Sequence, residues 1–228
     1  MVNRSARDRL AAAIEEFLSG DIGAFEFDDR IFGLAEETDD ETVQGVAHLL
    51  SFHYDDITDH KAALSQAEWD HFQRLLLLLR SDAALATDRK RQWSWRQAIA
   101  LSAIVAFFSG MLLLGFGWQL LLITVPLGTV SMLLSRWPAA EAESDTDDGF
   151  VRLTPYSSVA EMLAVHRTVP AFRKRRYPSV MCERRIRGPV AEGFIWLYSG
   201  VMWLVFSPVV LLFQALPGAR STSRVVPA

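Results

Sequence analysis

Between Arg96 and Arg136 the chain runs for 39 consecutive residues, Gln97 to Ser135, without a charged side chain. As one helix this run would be roughly 58 Å long at ~1.5 Å per residue, about twice the ~30 Å hydrocarbon thickness of a bilayer. One straight span is therefore excluded. Gly115, Phe116 and Gly117 lie at its midpoint, where two glycines supply the backbone angles of a tight reversal. The run reads as a hairpin of two helices, about Gln97 to Leu114 and Trp118 to Arg136. Each is near the short limit for crossing, so a deeply inserted hairpin that stops short of the far surface stays open as an alternative. Trp93 and Trp95 where the run begins, Trp118 at its tip and Trp137 at its end stand where interfacial indoles are expected.

On the first of these helices Ala98, Ser102, Ala106 and Gly110 recur every four residues. Small side chains at that spacing let another helix approach closely, so the stripe is a packing face for the second helix of the hairpin or for a further copy or partner. A third apolar run, Gly193 to Leu216, has 24 residues and is long enough to span. Pro208 lies inside it and removes a backbone donor, so the alternative is a segment that bends back to the same surface.

Charge is strongly partitioned. Met1 to Asp88 holds 19 acidic and 7 basic residues, a net of minus 12. Arg89, Lys90, Arg91 and Arg96 follow without an acid, and Phe150 to Arg187 carries nine bases against two acids. Both basic blocks flank the same side of the hairpin, so an excess of bases on the cytoplasmic side predicts a cytoplasmic amino terminus. The first 20 residues contain Arg4, Arg7, Asp8, Arg9, Glu15 and Glu16 and no apolar core, so no signal peptide is expected. A hydrophobic fraction of 50% excludes general disorder, and a single cysteine, Cys182, excludes a disulfide scaffold.

The acidic block reads as a small helical bundle. A first helix, about Ser5 to Ser19, places Leu10, Ile14, Phe17 and Leu18 on one face and stops at Gly20. A second, Ala24 to Glu36, is expected to bury Phe25, Ile31, Phe32 and Leu34, and a third from Asp39 or Asp40 to pass Val43, Val46, Leu50 and Ile57. Ser65 and Glu68 form a capping box for a fourth, whose Leu75 to Leu79 run demands burial all round. A second box, Ser158 and Glu161, opens a short helix carrying Val159, Met162, Leu163 and Val169 and ended by Pro170.

The most suggestive chemistry lies at His53, Asp56 and His60, which share one face if the third helix continues that far. Imidazole and carboxylate suit zinc, iron or manganese, although the spacing matches no established motif. There is no Gly-rich phosphate loop, no GxSxG and no supported Cys and His pair, so neither catalysis nor a cofactor is expected. Arg173, Lys174, Arg175 and Arg176, with Arg184, Arg185 and Arg187, mix with Phe172 and Tyr177. That pattern suits anionic lipid headgroups or an acidic partner, including the acidic bundle itself, and the bilayer is a cheaper explanation for it than nucleic acid.

Two resemblances add to this. Tyr54-Asp55-Asp56 to Asp59-His60-Lys61, then Glu68-Trp69-Asp70 and Arg74 through Asp82, resemble a module of an uncharacterised bacterial membrane protein family. Glu16-Phe17-Leu18-Ser19-Gly20-Asp21-Ile22 and the helical layout are similar to small bacteriocin-immunity proteins of the colicin type, which implies binding a toxin domain.

Together these readings give an all-α chain: an acidic bundle over 1–88, a basic juxtamembrane segment and transmembrane hairpin over 89–137, an acidic linker over 138–149, a basic amphipathic segment over 150–188, a third membrane helix or re-entrant segment over 189–217, and a tail over 218–228. The expected role is a non-catalytic, multi-pass protein of the bacterial inner membrane that offers its acidic domain to an unidentified protein partner, as an accessory, regulatory or immunity-like subunit, with a homo-oligomer possible. The alternatives are a metalloprotein built on His53, Asp56 and His60, and a membrane-shaping protein that assembles through the hairpin.

Overall fold

The first helix, α1 (Arg4–Ser19), forms where the apolar spacing and its caps coincide: Leu10, Ile14, Phe17 and Leu18 are all buried. Asn3 accepts from the Ala6 N–H at 3.1 Å, and Gly20 ends the helix in the left-handed region at φ 84°, sending its N–H back to the Glu16 and Phe17 carbonyls. Glycine reaches that conformation without a Cβ penalty. The computed structural model describes residues 2–55, 57–115, 117, 120–136 and 153–226, and it is mostly helical. It divides into two units. The first takes residues 1–88, 145–186 and 222–228, the second 89–144 and 187–221.

In the first unit α1 packs on α2 (Ala24–Glu37), α3 (Glu41–Leu50) and α4 (Gln66–Arg80). Phe17 and Phe27 stack with centroids 4.3 Å apart, and Phe72 lies 6.4 Å from Phe17. The capping box at α4 is complete, with Ser65 Oγ accepting from Glu68 N and Glu68 Oε2 accepting from Ser65 N, an arrangement that contributes about 1 kcal/mol. Leu75 to Leu79 are all buried, as an all-round apolar helix requires.

Three expectations for these helices are corrected. In α2 the buried residues are Phe27, Ile31 and Leu34, while Phe25 and Phe32 are exposed. Phe25 and Phe32 share their face with Asp28, Asp29 and Glu36, whereas the uncharged face of Phe27, Ile31 and Leu34, at steps of four and three, is the one that packs. α3 ends at Leu50, so Ile57 is exposed rather than part of it. The chain also contains strand: β1 (Ala84–Gln92) pairs with β2 (Gly218–Val226), in what read as a basic juxtamembrane stretch and a tail.

The bundle core also includes residues from far along the chain. Tyr156, Val165 of α7 (Val159–Thr168), Met181 of α8 (Ser179–Glu183) and Val225 of β2 are buried in it. Val159 and Leu163 of α7 are exposed. The segment is held by neutral bonds as well as apolar burial. Trp69 Nε1 donates to the Arg175 carbonyl at 3.0 Å, Arg175 N donates to Gln73 Oε1 at 3.0 Å, and Tyr177 OH donates to the Leu64 carbonyl at 2.7 Å. Lys174 on Asp70 and Arg175 on Glu15 add ion pairs.

The second unit is built from α5 (Trp95–Leu114), α6 (Leu120–Arg136), α9 (Pro189–Val205) and α10 (Ser207–Gln214). Ala100, Ile104, Leu127, Leu134 and Leu211 form its core. α9 and α10 meet at 75°. Pro208 has no N–H to give the Leu204 carbonyl and its ring blocks a straight continuation, whereas at the first turn of α10 it is tolerated. Side chains tie α6 to α10: Ser131 Oγ donates to Gln214 Oε1 and Gln214 Nε2 donates to the Ser131 carbonyl, each at 3.1 Å. Ser207 Oγ donates to the Thr124 carbonyl.

Among the described residues one helix, α5, is long and apolar enough by itself to cross a bilayer, with mean hydropathy 1.6 over Trp95–Leu113. α9 and α10 reach that criterion only as a bent pair, and the apolar part of α6, Leu122–Ser135, is shorter. Within the chain only part of the small-residue stripe packs against α6. Ala98, Ser102 and Ala106 are exposed, and only Gly110 lies against α6, where an added Cβ would sit 2.6 Å from Ile123 Cδ1. The face of α5 that packs is the one carrying Ala100 and Ile104.

Candidate functional site

A cleft of about 690 Å³ in the first unit opens between the end of α3 and the first turns of α4. Leu49 and Phe52 give it an apolar side; His53, Glu68, His71 and Arg74 give it a polar one. Glu68 and His71 are three apart on α4 and so share a face. His53 joins them because the chain turns after Leu50: its ring lies 5.0 Å from the His71 ring and 5.5 Å from that of Phe72.

Backbone and carboxylate groups orient both imidazoles. His71 Nδ1 lies 2.9 Å from the Thr154 carbonyl, which only accepts, so Nδ1 carries the proton and Nε2 the lone pair. Arg74 Nε donates to the same carbonyl at 2.9 Å. Burial, with the neighbouring His53 adding to it, pushes His71 down to about 4, so it is neutral at physiological pH. His53 Nδ1 lies 3.5 Å from Glu68 Oε1 and makes no hydrogen bond. Burial alone would raise Glu68, but the hydrogen bonds from Ser65 and the approach of His53 outweigh it and hold this carboxylate below its ordinary range. Burial lowers Arg74 and raises the Tyr156 phenol. The lining therefore offers a neutral imidazole acceptor, a carboxylate and a guanidinium beside an apolar wall. Such a set can donate and accept hydrogen bonds side by side.

The structure does not bring His53, Asp56 and His60 onto one helix face. α3 stops before them, and Asp56 lies outside the described residues. His60 turns inward, 6.5 Å from the Phe17 ring; its Nε2 accepts from Asp55 N at 3.0 Å and its Nδ1 donates to the Lys61 carbonyl at 2.9 Å. Both nitrogens of that ring are thus taken by local backbone. Among the described residues no three His, Cys, Asp or Glu side chains are placed to hold a metal ion. Sequence reasoning missed His71, although the Glu68 and His71 spacing on a well-capped helix was readable.

Of the indoles expected at an interface, Trp93 and Trp95 are exposed, at 73% and 51%, while Trp118 and Trp137 lie outside the described residues. Of the basic set, Arg173, Lys174, Arg175, Arg176 and Arg185 are exposed and Arg184 and Arg187 are half-buried. Arg184 Nη1 donates to the Ala62 carbonyl at 3.0 Å. The Cys182 side chain lies outside the description. No family model matches the chain, and neither a curated protein nor a solved structure does.

Proposed function

We propose that this chain is a membrane protein of the bacterial inner membrane, without catalysis of its own, which holds an acidic helical domain at the cytoplasmic surface to bind a protein partner. One observation carries the reading. In α5 only 17% of the apolar window is buried within the chain, and Leu101, Val105, Phe108, Leu112 and Leu113 point outward. The same is true of Phe194, Leu197, Val201 and Val205 on α9 and of Val209, Leu212 and Phe213 on α10. A soluble domain rarely leaves so much contiguous apolar surface to water. In hydrocarbon it costs nothing, and the interhelical hydrogen bonds of Ser131, Gln214 and Ser207 are of the kind that hold membrane helices together.

The acidic domain is the binding module in this reading, with the cleft beside His53 and His71 as its recognition site. Arg89, Lys90, Arg91 and the bases that follow the hairpin support a cytoplasmic placement through the positive-inside rule. Fractionation of the expressed full-length chain tests the anchor: it should stay in the membrane pellet after alkaline washing, and release into the supernatant would overturn the reading. A photo-reactive residue at Phe52, 72% exposed at the cleft, should crosslink a discrete partner in cells.

A further inference from the structure

A second, smaller cavity of about 340 Å³ in the first unit is lined by three arginines, Arg175, Arg176 and Arg184, and among the described residues by no carboxylate. The indole of Trp69, the buried Met181 and the exposed Val180 complete its apolar walls. Three arginines lining one small space concentrate positive charge there, which an anion would offset.

These arginines are not needed to hold their own segment. It is fixed by the burial of Tyr156, Val165 and Met181, and by the bonds of Trp69, Gln73 and Tyr177 that clamp the backbone at Arg175 and Tyr177. The guanidinium groups of Arg175 and Arg184 are only partly engaged. Arg175 gives one nitrogen, Nη2, to Glu15 at 3.0 Å, and Glu15 already takes Arg80 Nη2 at 2.7 Å on its other oxygen. Arg184 gives Nη1 to the Ala62 carbonyl. Its guanidinium also lies beside Gly20, where an added Cβ would be 3.5 Å from Nη1. There the carboxyl end of α1 favours a cation. Asp21, next along, is engaged by the Ser19 hydroxyl. A guanidinium has five donors in a planar fork, so most of the donors around this cavity remain for a ligand.

We propose that this cavity is a one-to-one binding site for a phosphate group, held by Arg175, Arg176 and Arg184, with Trp69 and Val180 against whatever carries the phosphate. Phosphate matches the fork of arginine through paired hydrogen bonds, and the cavity holds one such group rather than a diffuse counterion cloud. The source of the phosphate is either a phospholipid headgroup or a small free phosphate. The proposal does not depend on the membrane reading, because a soluble probe suffices to test it.

The test is titration calorimetry on the purified full-length chain in a non-ionic detergent at low ionic strength, using inorganic phosphate, glycerol phosphate and a short-chain phosphatidylglycerol. Saturable binding of the first two with one site per chain supports the proposal with a free-phosphate source. Saturation by the phosphatidylglycerol alone supports it with a lipid source. Arg176→Gln should weaken the productive probe by about tenfold or more, whereas Arg9→Gln, an exposed α1 residue paired with Glu37 and absent from the lining, should leave it unchanged. Arg184→Gln should also weaken binding; because Arg184 bonds Ala62, its melting temperature is compared with that of the native chain, and Arg176→Gln decides alone if Arg184→Gln is unfolded. No saturable binding of any probe at millimolar concentration, or equal loss in Arg9→Gln and Arg176→Gln, overturns the proposal.

Discussion

The Arg7 guanidinium forks onto the Asp40 carboxylate, Nε to Oδ2 at 2.8 Å and Nη2 to Oδ1 at 3.2 Å, with both side chains at most 3% exposed. Every N–H of Arg7 is used: Nη1 reaches the Ser81 and Ala83 carbonyls and Nη2 also reaches Thr42 Oγ1. Asp40 also accepts from Asn3 N and Thr42 N, and Thr42 Oγ1 accepts from Leu85 N. One ion pair thus joins the start of α1, the cap of α3, the end of α4 and the first residues of β1. Removing one member leaves an uncompensated buried charge. Arg7→Leu should destabilise the chain by about 3–5 kcal/mol, read as a large fall in melting temperature. Replacing both by apolar residues should recover part of the loss.

Acid should unfold the first unit in two stages. His71, moved from 6.5 to about 4 by burial, binds its proton more readily when unfolded. Its contribution is therefore complete above about pH 6.5 and lost as pH falls toward 4, amounting to at most about 3 kcal/mol. Asp40 is held at about 2: burial alone would raise it, but the hydrogen bonds of Arg7 and the backbone outweigh that. Its contribution is complete above about 3.8 and is lost as pH falls through 2. Melting temperatures of His71→Gln followed from pH 7 to pH 4 should fall less steeply than those of the native chain.

In the apolar unit, an added Cβ at Gly128 would lie 2.6 Å from Leu204 Cδ2 and 3.2 Å from Leu204 Cα. Backbone cannot yield as a side-chain tip does, so Gly128→Val should cost about 1–3 kcal/mol through overpacking of α6 on α9. Melting in detergent would show it.

Gly33 is the opposite case. It lies within α2 with nothing inside 4 Å of an added Cβ. Gly33→Ala should stabilise the chain by about 0.5–1 kcal/mol, because alanine lowers the entropy of the unfolded chain.

Val105 lies near the middle of α5 and is 56% exposed. A carboxylate there costs about 2.5–3.5 kcal/mol on insertion into hydrocarbon. Val105→Glu should therefore lower the share of chain recovered in alkali-washed membranes, whereas Phe52→Glu, in the other unit, should not.

Local chemistry was the legible part. The Ser65 and Glu68 box, the stop at Gly20 and the α1 stripe were readable because each depends on residues within four positions of one another. The packing face of α2 could have been read, since Asp28, Asp29 and Glu36 share the face of Phe25 and Phe32, but the size of those two rings masked it. β1 was hidden because its partner strand begins after Gln214 and four of its nine residues are charged. His53 entered the cleft through a turn, where helical periodicity predicts nothing. Tyr156, Val165 and Met181 belong to a core whose other buried members, Val225 apart, lie more than 70 residues earlier, a distance at which no sequence pattern operates.

That return of the chain sets an order of synthesis. When the four helices of residues 4–80 have left the ribosome, their core still lacks Tyr156, Val165, Met181 and Val225. α5 and α6 emerge next, followed much later by residues that complete the core, and Val225 arrives only after α9 and α10. The amino-terminal helices are therefore made well before the last residue that packs among them. Closure of that core depends on the synthesis of α5, α6, α9 and α10 having already passed.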